Sequence, residues 1–267
     1  MYSLEGIKIS ALSLQGMYIS ATIAILLPFL IMITLRIKTK CKVSPFFLGI
    51  CSYLLFAMFL EALFTGLVNR FTGGAMRENI VMFAIFGGLA AVCFEEFGRY
   101  FVMRFLMKDH LTKQNSLMYG VGHGAAESII LVGIVYISNI FVSHLINEGA
   151  LQDTLLQMDE AMRAETYEGI RSLWESPTGY FYLAGVDAIG QMFLQICISY
   201  LVYKAATSND FRMMVLAMLI HFAKATIYTL LCQVVDVMIV EAFFMICVVA
   251  LIVFTFKLYE KEEVEEL

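Results

Sequence analysis

Charged side chains are scarce in this sequence. Asp, Glu, Lys and Arg together make up 15% of its 267 residues, against about 25% in soluble globular proteins. There are only three prolines, whereas hydrophobic residues reach 60%. So little charge excludes a soluble domain of this length, and the lack of a clustered basic face excludes a nucleic-acid-binding protein. The composition is that of a protein embedded in lipid.

Paired cysteine motifs are also missing. The six cysteines are scattered without a CxxC pair, and all but Cys41 fall within or at the edge of apolar segments. Cysteines in such surroundings behave as small apolar packing residues, so neither a disulfide framework nor a zinc knuckle is expected.

Long apolar runs take up most of the chain. A spanning helix needs about 20 mainly apolar residues, and seven segments meet that requirement. No repeat or soluble domain separates them, so the sequence predicts an all-α, polytopic helical bundle forming one membrane-embedded domain over residues 1–267. The segments are 11–35, 45–68, 79–107, 115–145, 178–203, 212–235 and 237–257.

The connections between these segments differ in charge. Residues 36–44 carry four basic side chains, and the connections near 104–113 and 204–212 are also basic, whereas residues 146–177 hold seven acids against two arginines. Basic connections stay on the cytoplasmic side. The sequence therefore predicts an integral, multi-pass protein of the bacterial cytoplasmic membrane, with its amino terminus outside and its carboxyl terminus inside.

The acidic connection at 146–177 has its own pattern. The apolar residues that recur close to helical spacing are Leu151, Leu155, Met158, Met162, Ile170 and Leu173. This spacing predicts an amphipathic helix at the outer surface, which serves either as a solvated linker or as a lid over a site.

Charge inside the membrane segments is grouped. The run "AVCFEEFGRYF", residues 91–101, places Glu95, Glu96 and Arg99 in an apolar segment, where unpaired charges cost several kcal/mol. Because Arg99 lies four residues after Glu95 and three after Glu96, its guanidinium can reach either carboxylate along one helix face. A purely structural ion pair is the alternative for these residues taken alone.

A second group follows in "GVGHGAAES", residues 120–128. His123 and Glu127 are four residues apart, which puts an imidazole and a carboxylate on one helix face, as in helical metal sites. Gly120, Gly122 and Gly124 leave room for a neighbouring helix or a substrate backbone to come close.

Polar residues of four helices lie at matching depth. At 1.5 Å per residue they are about 13 to 18 Å from the nearest inner helix end. Chance placement would not favour this, so the sequence predicts a shared polar cavity, and desolvated charges of this kind are typical of chemistry or transport. The residues are Glu96, His123, Gln195 and His221.

The two motifs resemble those of a known family. "FEEFGRYFVMRFLM" followed by "GVGHGAAESIILVG" is similar to the paired motifs of the YhfC-type intramembrane metalloproteases, relatives of the PrsW and CAAX-processing (CPBP) proteases, and the resemblance covers about residues 90–240. It implies a catalytic pair at Glu95 and Glu96, oriented by Arg99. It also implies a second motif at His123 and Glu127 and a late histidine at His221. The sequence departs from the superfamily at Ala225, often Asp or Asn, and at Gln195, where relatives tend to carry histidine.

The resemblance implies hydrolysis of a membrane-embedded or membrane-proximal peptide. If zinc binds, the expected ligands are His123 and His221 with Glu127 or one of the pair, and the other glutamate of the pair activates water. In a metal-free alternative a glutamate activates water directly, while the histidines and Gln195 hold the oxyanion.

Two other functions compete with proteolysis. A proton-coupled transporter would use Glu, Arg and His as a relay that Asp187 and Lys224 extend across the bilayer. A non-catalytic scaffold or immunity-type relative would keep the cavity and bind membrane peptides without turnover. Ala225 and Gln195 favour the scaffold.

Overall fold

The computed structural model describes residues 2–208 and 210–265, and its regular structure there is helical, with no strand among them. Seven helices are long and apolar enough to cross a membrane, which confirms the predicted all-α, polytopic bundle. We number them in chain order. They are α1 (Ala11–Thr39), α2 (Ser44–Phe71), α3 (Ile80–Leu106), α4 (Lys113–Glu148), α5 (Thr178–Ser208), α6 (Arg212–Leu231) and α7 (Val237–Glu265).

The end of the sixth helix falls short of its predicted segment. That segment extends to about residue 235, whereas α6 ends at Leu231. The Asp236 carboxylate accepts a hydrogen bond from the Met238 backbone N–H at 2.8 Å. This caps the start of α7, so the preceding residues form a turn between the two helices.

The chain divides into two compact units. One consists of Met1–Leu26 and Ser128–Ile189, and the other of Leu27–Glu127 and Gly190–Leu267. The second unit contains the residues of both motifs together with Gln195 and His221. The single-domain organisation, the outside amino terminus and the cytoplasmic-membrane location stay predictions.

In the first unit the acidic connection folds as three short helices instead of the predicted single amphipathic one. They are Ala150–Gln157, Glu160–Ile170 and Ser172–Glu175. The break at Met158 and Asp159 is stabilised twice: Asp159 caps the second helix through Met162 N–H, and Arg163 donates to the carbonyls of Leu155, Leu156 and Met158. Leu155 and Leu173 are buried with Leu4, Ile9 and Phe181.

Within the second unit, α2 and α3 contain π-helical stretches. They cover Tyr53–Glu61, Val92–Glu96 and Val102–Leu106. A π-helical turn holds more residues than an α-helical turn, so it rotates the side chains that follow, and such stretches are frequent at functional sites. The Val92–Glu96 stretch carries both glutamates of the first motif.

Candidate active site

Glu95 lies against two histidines from two other helices. Its Oε2 is 2.9 Å from Nε2 of His123 on α4, and its Oε1 is 4.0 Å from Nε2 of His221 on α6. All three side chains are buried. The His123 ring also meets the Tyr53 ring edge-on, with centroids 5.2 Å apart. One carboxylate and two imidazoles therefore converge inside the bundle.

Glu96 points to different partners. Its Oε1 is 2.8 Å from Nδ1 of His221, and its Oε2 is 3.2 Å from Nε of Arg99. In the neutral imidazole, a hydrogen bond from Nδ1–H to Glu96 fixes the tautomer of His221 and leaves the Nε2 lone pair facing Glu95. The two adjacent glutamates thus have separate environments: Glu95 contacts both imidazoles, and Glu96 orients one of them.

Arg99 joins this group to α5. The fully buried guanidinium donates hydrogen bonds to the Gln195 carbonyl oxygen at 3.1 Å, to Gln195 Oε1 at 2.6 Å and to the Ser199 hydroxyl. The Gln195 amide in turn donates to Glu127 Oε2 at 2.8 Å, and Gln191 donates to Glu127 Oε1 at 3.4 Å. Both polar atoms of the Gln195 side chain are therefore engaged with Arg99 and Glu127.

The predicted close approach of helices occurs at the second motif. A methyl group added at Gly122 would overlap the backbone carbonyl of Phe46, and one added at Gly49 would overlap the backbone of Tyr119 and His123. Glycine is therefore required on both sides where α2 crosses α4. This contact sets the position of His123, the residue next to Gly122.

We expect Gly122→Ala to destabilise the protein by about 2 kcal/mol or more, because the backbone of α2 has to move to relieve the overlap. Gly66→Ala in α2 is the matched control, since nothing lies within 4 Å of a methyl group there. The free energy of unfolding of both variants is measured in mixed micelles titrated with SDS. Equal stabilities of the two variants would contradict this account of the α2–α4 contact.

Sequence reasoning missed three side chains of the network. Gln191, Ser199 and Tyr53 contact Glu127, Arg99 and His123 respectively. A signal for two of them exists, because Gln191, Gln195 and Ser199 are spaced by four residues and form a polar stripe along α5. Outside the predicted site, Glu241 of α7 accepts a hydrogen bond from the Tyr228 hydroxyl of α6 at 3.1 Å.

The donors fit a divalent metal in chemistry and spacing. Tetrahedral zinc with bonds of 2.0 to 2.1 Å places its ligand atoms about 3.3 Å apart, and the two imidazole–Glu95 separations of 2.9 and 4.0 Å bracket that value. Among the described residues, no three His, Cys, Asp or Glu side chains already form a ligand group.

Comparisons with known proteins agree with the motifs. A family model described as "YhfC intramembrane metalloprotease" matches residues 23–251. A Bacillus subtilis (strain 168) protein called "Uncharacterized membrane protein YhfC" is 32% identical over 206 residues, which cover 76% of this chain and 79% of that protein. No solved structure matches the chain.

Proposed function

Because this chain belongs to the YhfC intramembrane metalloprotease family, we propose that it hydrolyses a peptide bond of a membrane-embedded or membrane-proximal protein. The observation that carries the proposal is the position of Glu95, whose carboxylate contacts the imidazole of His123 and faces that of His221. A buried carboxylate between two imidazoles has the parts that water activation requires.

In this proposal Glu95 accepts the proton of the attacking water. His123 holds the Glu95 carboxylate through its Nε2, and the T-shaped contact with the Tyr53 ring restricts the imidazole. His221 lies on the other side of the same carboxylate, where its ring can orient the water or the developing oxyanion.

Glu96, Arg99 and Gln195 position these groups without touching the substrate. Glu96 orients His221, Arg99 holds Glu96, and Gln195 links Arg99 to Glu127. Because both ends of the Gln195 side chain are occupied, we propose that it supports the network and does not stabilise the oxyanion.

The metal that the family's name implies would be held by His123, His221 and a carboxylate of the cluster, with zinc the candidate that suits these donors. Bound there, it would lower the pKa of its water to about 7 and polarise the peptide carbonyl. With Glu95 as the base, the carboxylate ligand would be Glu96 or Glu127. Glu127, the sequence-based ligand candidate, is held by two glutamine amides.

The test is cleavage by the full chain in liposomes. We expect it to cut members of a pool of synthetic membrane-spanning peptides within or beside their apolar segment, with products identified by mass spectrometry. A chelator should abolish cleavage, and added zinc should restore it, because activation of the water depends on the metal. If no peptide is cut by well-folded protein supplied with zinc, the proposed function is wrong.

Metal content gives an independent measurement. Elemental mass spectrometry of the purified protein should find close to one zinc per chain, lost in both His123→Ala and His221→Ala. His144→Ala is the matched control, because His144 is exposed and hydrogen-bonded to Tyr18 at 3.1 Å. Metal that is retained in the first two variants, or lost in the control, would contradict the proposed ligands.

A further inference from the structure

An apolar groove lies between α6 and α7, beside the candidate active site. Its volume is about 530 Å³, and its lining runs from Leu216 to Leu231 on α6 and from Val240 to Phe254 on α7. At 1.5 Å per residue the groove is therefore about 22 Å long. Leu194 of α5, the neighbour of Gln195, also lines it.

Lys224 is the one charged side chain among the described residues that line this groove. Its ammonium lies 5.2 Å from the ring centroids of both Tyr228 and Phe244. Cation–π contacts offset part of the cost of a cation at this depth. No carboxylate forms an ion pair with Lys224 within the part of the chain that the structure describes.

The groove and the active site lie on adjacent faces of α6. Lys224 follows His221 by three residues, which places both side chains on neighbouring positions of α6. His221 in turn lies 4.0 Å from the Glu95 carboxylate. A group bound at Lys224 would therefore lie close to the carboxylate that we propose activates water.

The position of Lys224 along the groove indicates what fits it. Lys224 lies eight residues after Leu216 and seven before Leu231, near the middle of the lining. A lipid or a free carboxyl terminus carries its negative charge at one end and would fill only half of the groove. A peptide with an internal acidic side chain would fill both halves and pair with the ammonium.

We propose that this groove binds a membrane-spanning helix of the peptide substrate and that Lys224 selects substrates with an acidic side chain near the middle of the apolar segment. The inference rests on the proposed function, whose substrate class it specifies. A groove about 22 Å long accommodates a ridge of about four side chains, one per 5.4 Å helical turn.

Binding can be measured apart from cleavage, because the exposed Cys247 lines the groove. The probes are two 20-residue Leu/Ala peptides that differ only in a central Asp or Asn, each with a thiol-reactive group one turn away. The protein carries Glu95→Gln, so that bound peptide is not cut. We expect the Asp peptide to label Cys247 at least tenfold faster than the Asn peptide at pH 8.

Lys224→Met should bring the two labelling rates to within about threefold, and Lys224→Glu should favour a peptide with a central Lys. Cys247→Ser, which removes the target, controls for labelling of the exposed Cys51 and Cys93. If the Asp and Asn peptides label Cys247 at equal rates in the protein that keeps Lys224, the proposal is overturned. Equal suppression of both rates by anionic phosphatidylglycerol would also overturn it and would identify a lipid site.

Failure of the docking proposal is distinguishable from failure of the proposed function. In one outcome, labelling of Cys247 depends on the central Asp, but the unchanged protein, which retains Glu95, cuts no peptide. This outcome would support the groove as a peptide site and contradict proteolysis. Cleavage of the peptide pool without Asp-dependent labelling would support proteolysis and overturn the role of Lys224.

Discussion

Replacing Glu95 with glutamine is expected to lower the rate of peptide cleavage about 1,000-fold while the protein stays folded. The amide keeps the shape of the side chain but cannot accept a proton from water, and a positioned general base contributes about 10²- to 10⁴-fold. The loss should appear in kcat, because the substrate groove is untouched. Initial rates of cleavage of a peptide from the pool measure this loss of kcat. Circular dichroism and gel filtration check that the variant is folded.

Glu96→Gln should have a smaller effect. Glu96 contacts His221 and Arg99. Replacing a residue that orients a functional histidine in this way typically lowers activity about 10- to 100-fold. The amide oxygen of glutamine can still accept a hydrogen bond from Nδ1–H of His221, so part of the orientation of the His221 ring is kept. A larger loss for Glu96→Gln than for Glu95→Gln would reverse the roles that we propose for the two glutamates.

Glu241→Gln provides the control for both variants. Glu241 is a buried glutamate on α7 that accepts a hydrogen bond from Tyr228 and belongs to neither predicted motif. Its amide counterpart can accept the same hydrogen bond, so we expect activity within about threefold of the unchanged protein. If this control lost as much activity as Glu95→Gln, the loss would reflect removal of a buried charge in general.

The helices were predictable from the sequence because run length alone identifies them. Each of the seven segments is long and apolar enough to span a bilayer, and the observed helices overlap every predicted range. The fold of the acidic connection was not predictable to the same degree. Its apolar spacing is nearly continuous across Met158, whereas the break depends on the contacts of Asp159 and Arg163.

The grouping of the site was also predictable, but its internal pairings were not. Matching depth along the sequence is enough to place residues of α3, α4, α5 and α6 in one group. Helical periodicity predicts that Arg99 can reach either glutamate. In the structure Arg99 pairs with Glu96, because side-chain directions differ in the π-helical Val92–Glu96 stretch. Because the 3.6-residue period does not hold there, sequence spacing could not assign Glu95 to His123.

Removing the guanidinium of Arg99 is the change expected to destabilise the protein most. Arg99 is fully buried, pairs with Glu96 at 3.2 Å and donates to Gln195 and Ser199. Arg99→Met would leave Glu96 as an uncompensated buried charge, and breaking a buried pair in this way costs about 3 to 5 kcal/mol. We expect a loss of that size in SDS-induced unfolding in mixed micelles.

Two further variants separate the ion pair from simple loss of packing. The double variant Arg99→Met, Glu96→Gln leaves no unpaired buried charge at this pair, so it should be more stable than Arg99→Met alone. Replacing both members of a buried ion pair is often neutral for stability. Arg104→Met on the same helix should cost less than about 1 kcal/mol, because exposed Arg104 donates to the Ala206 carbonyl at 3.0 Å. If the double variant were no more stable than Arg99→Met, the cost would lie in the hydrogen bonds of Arg99 to α5. The guanidinium would then act mainly to join α3 to α5.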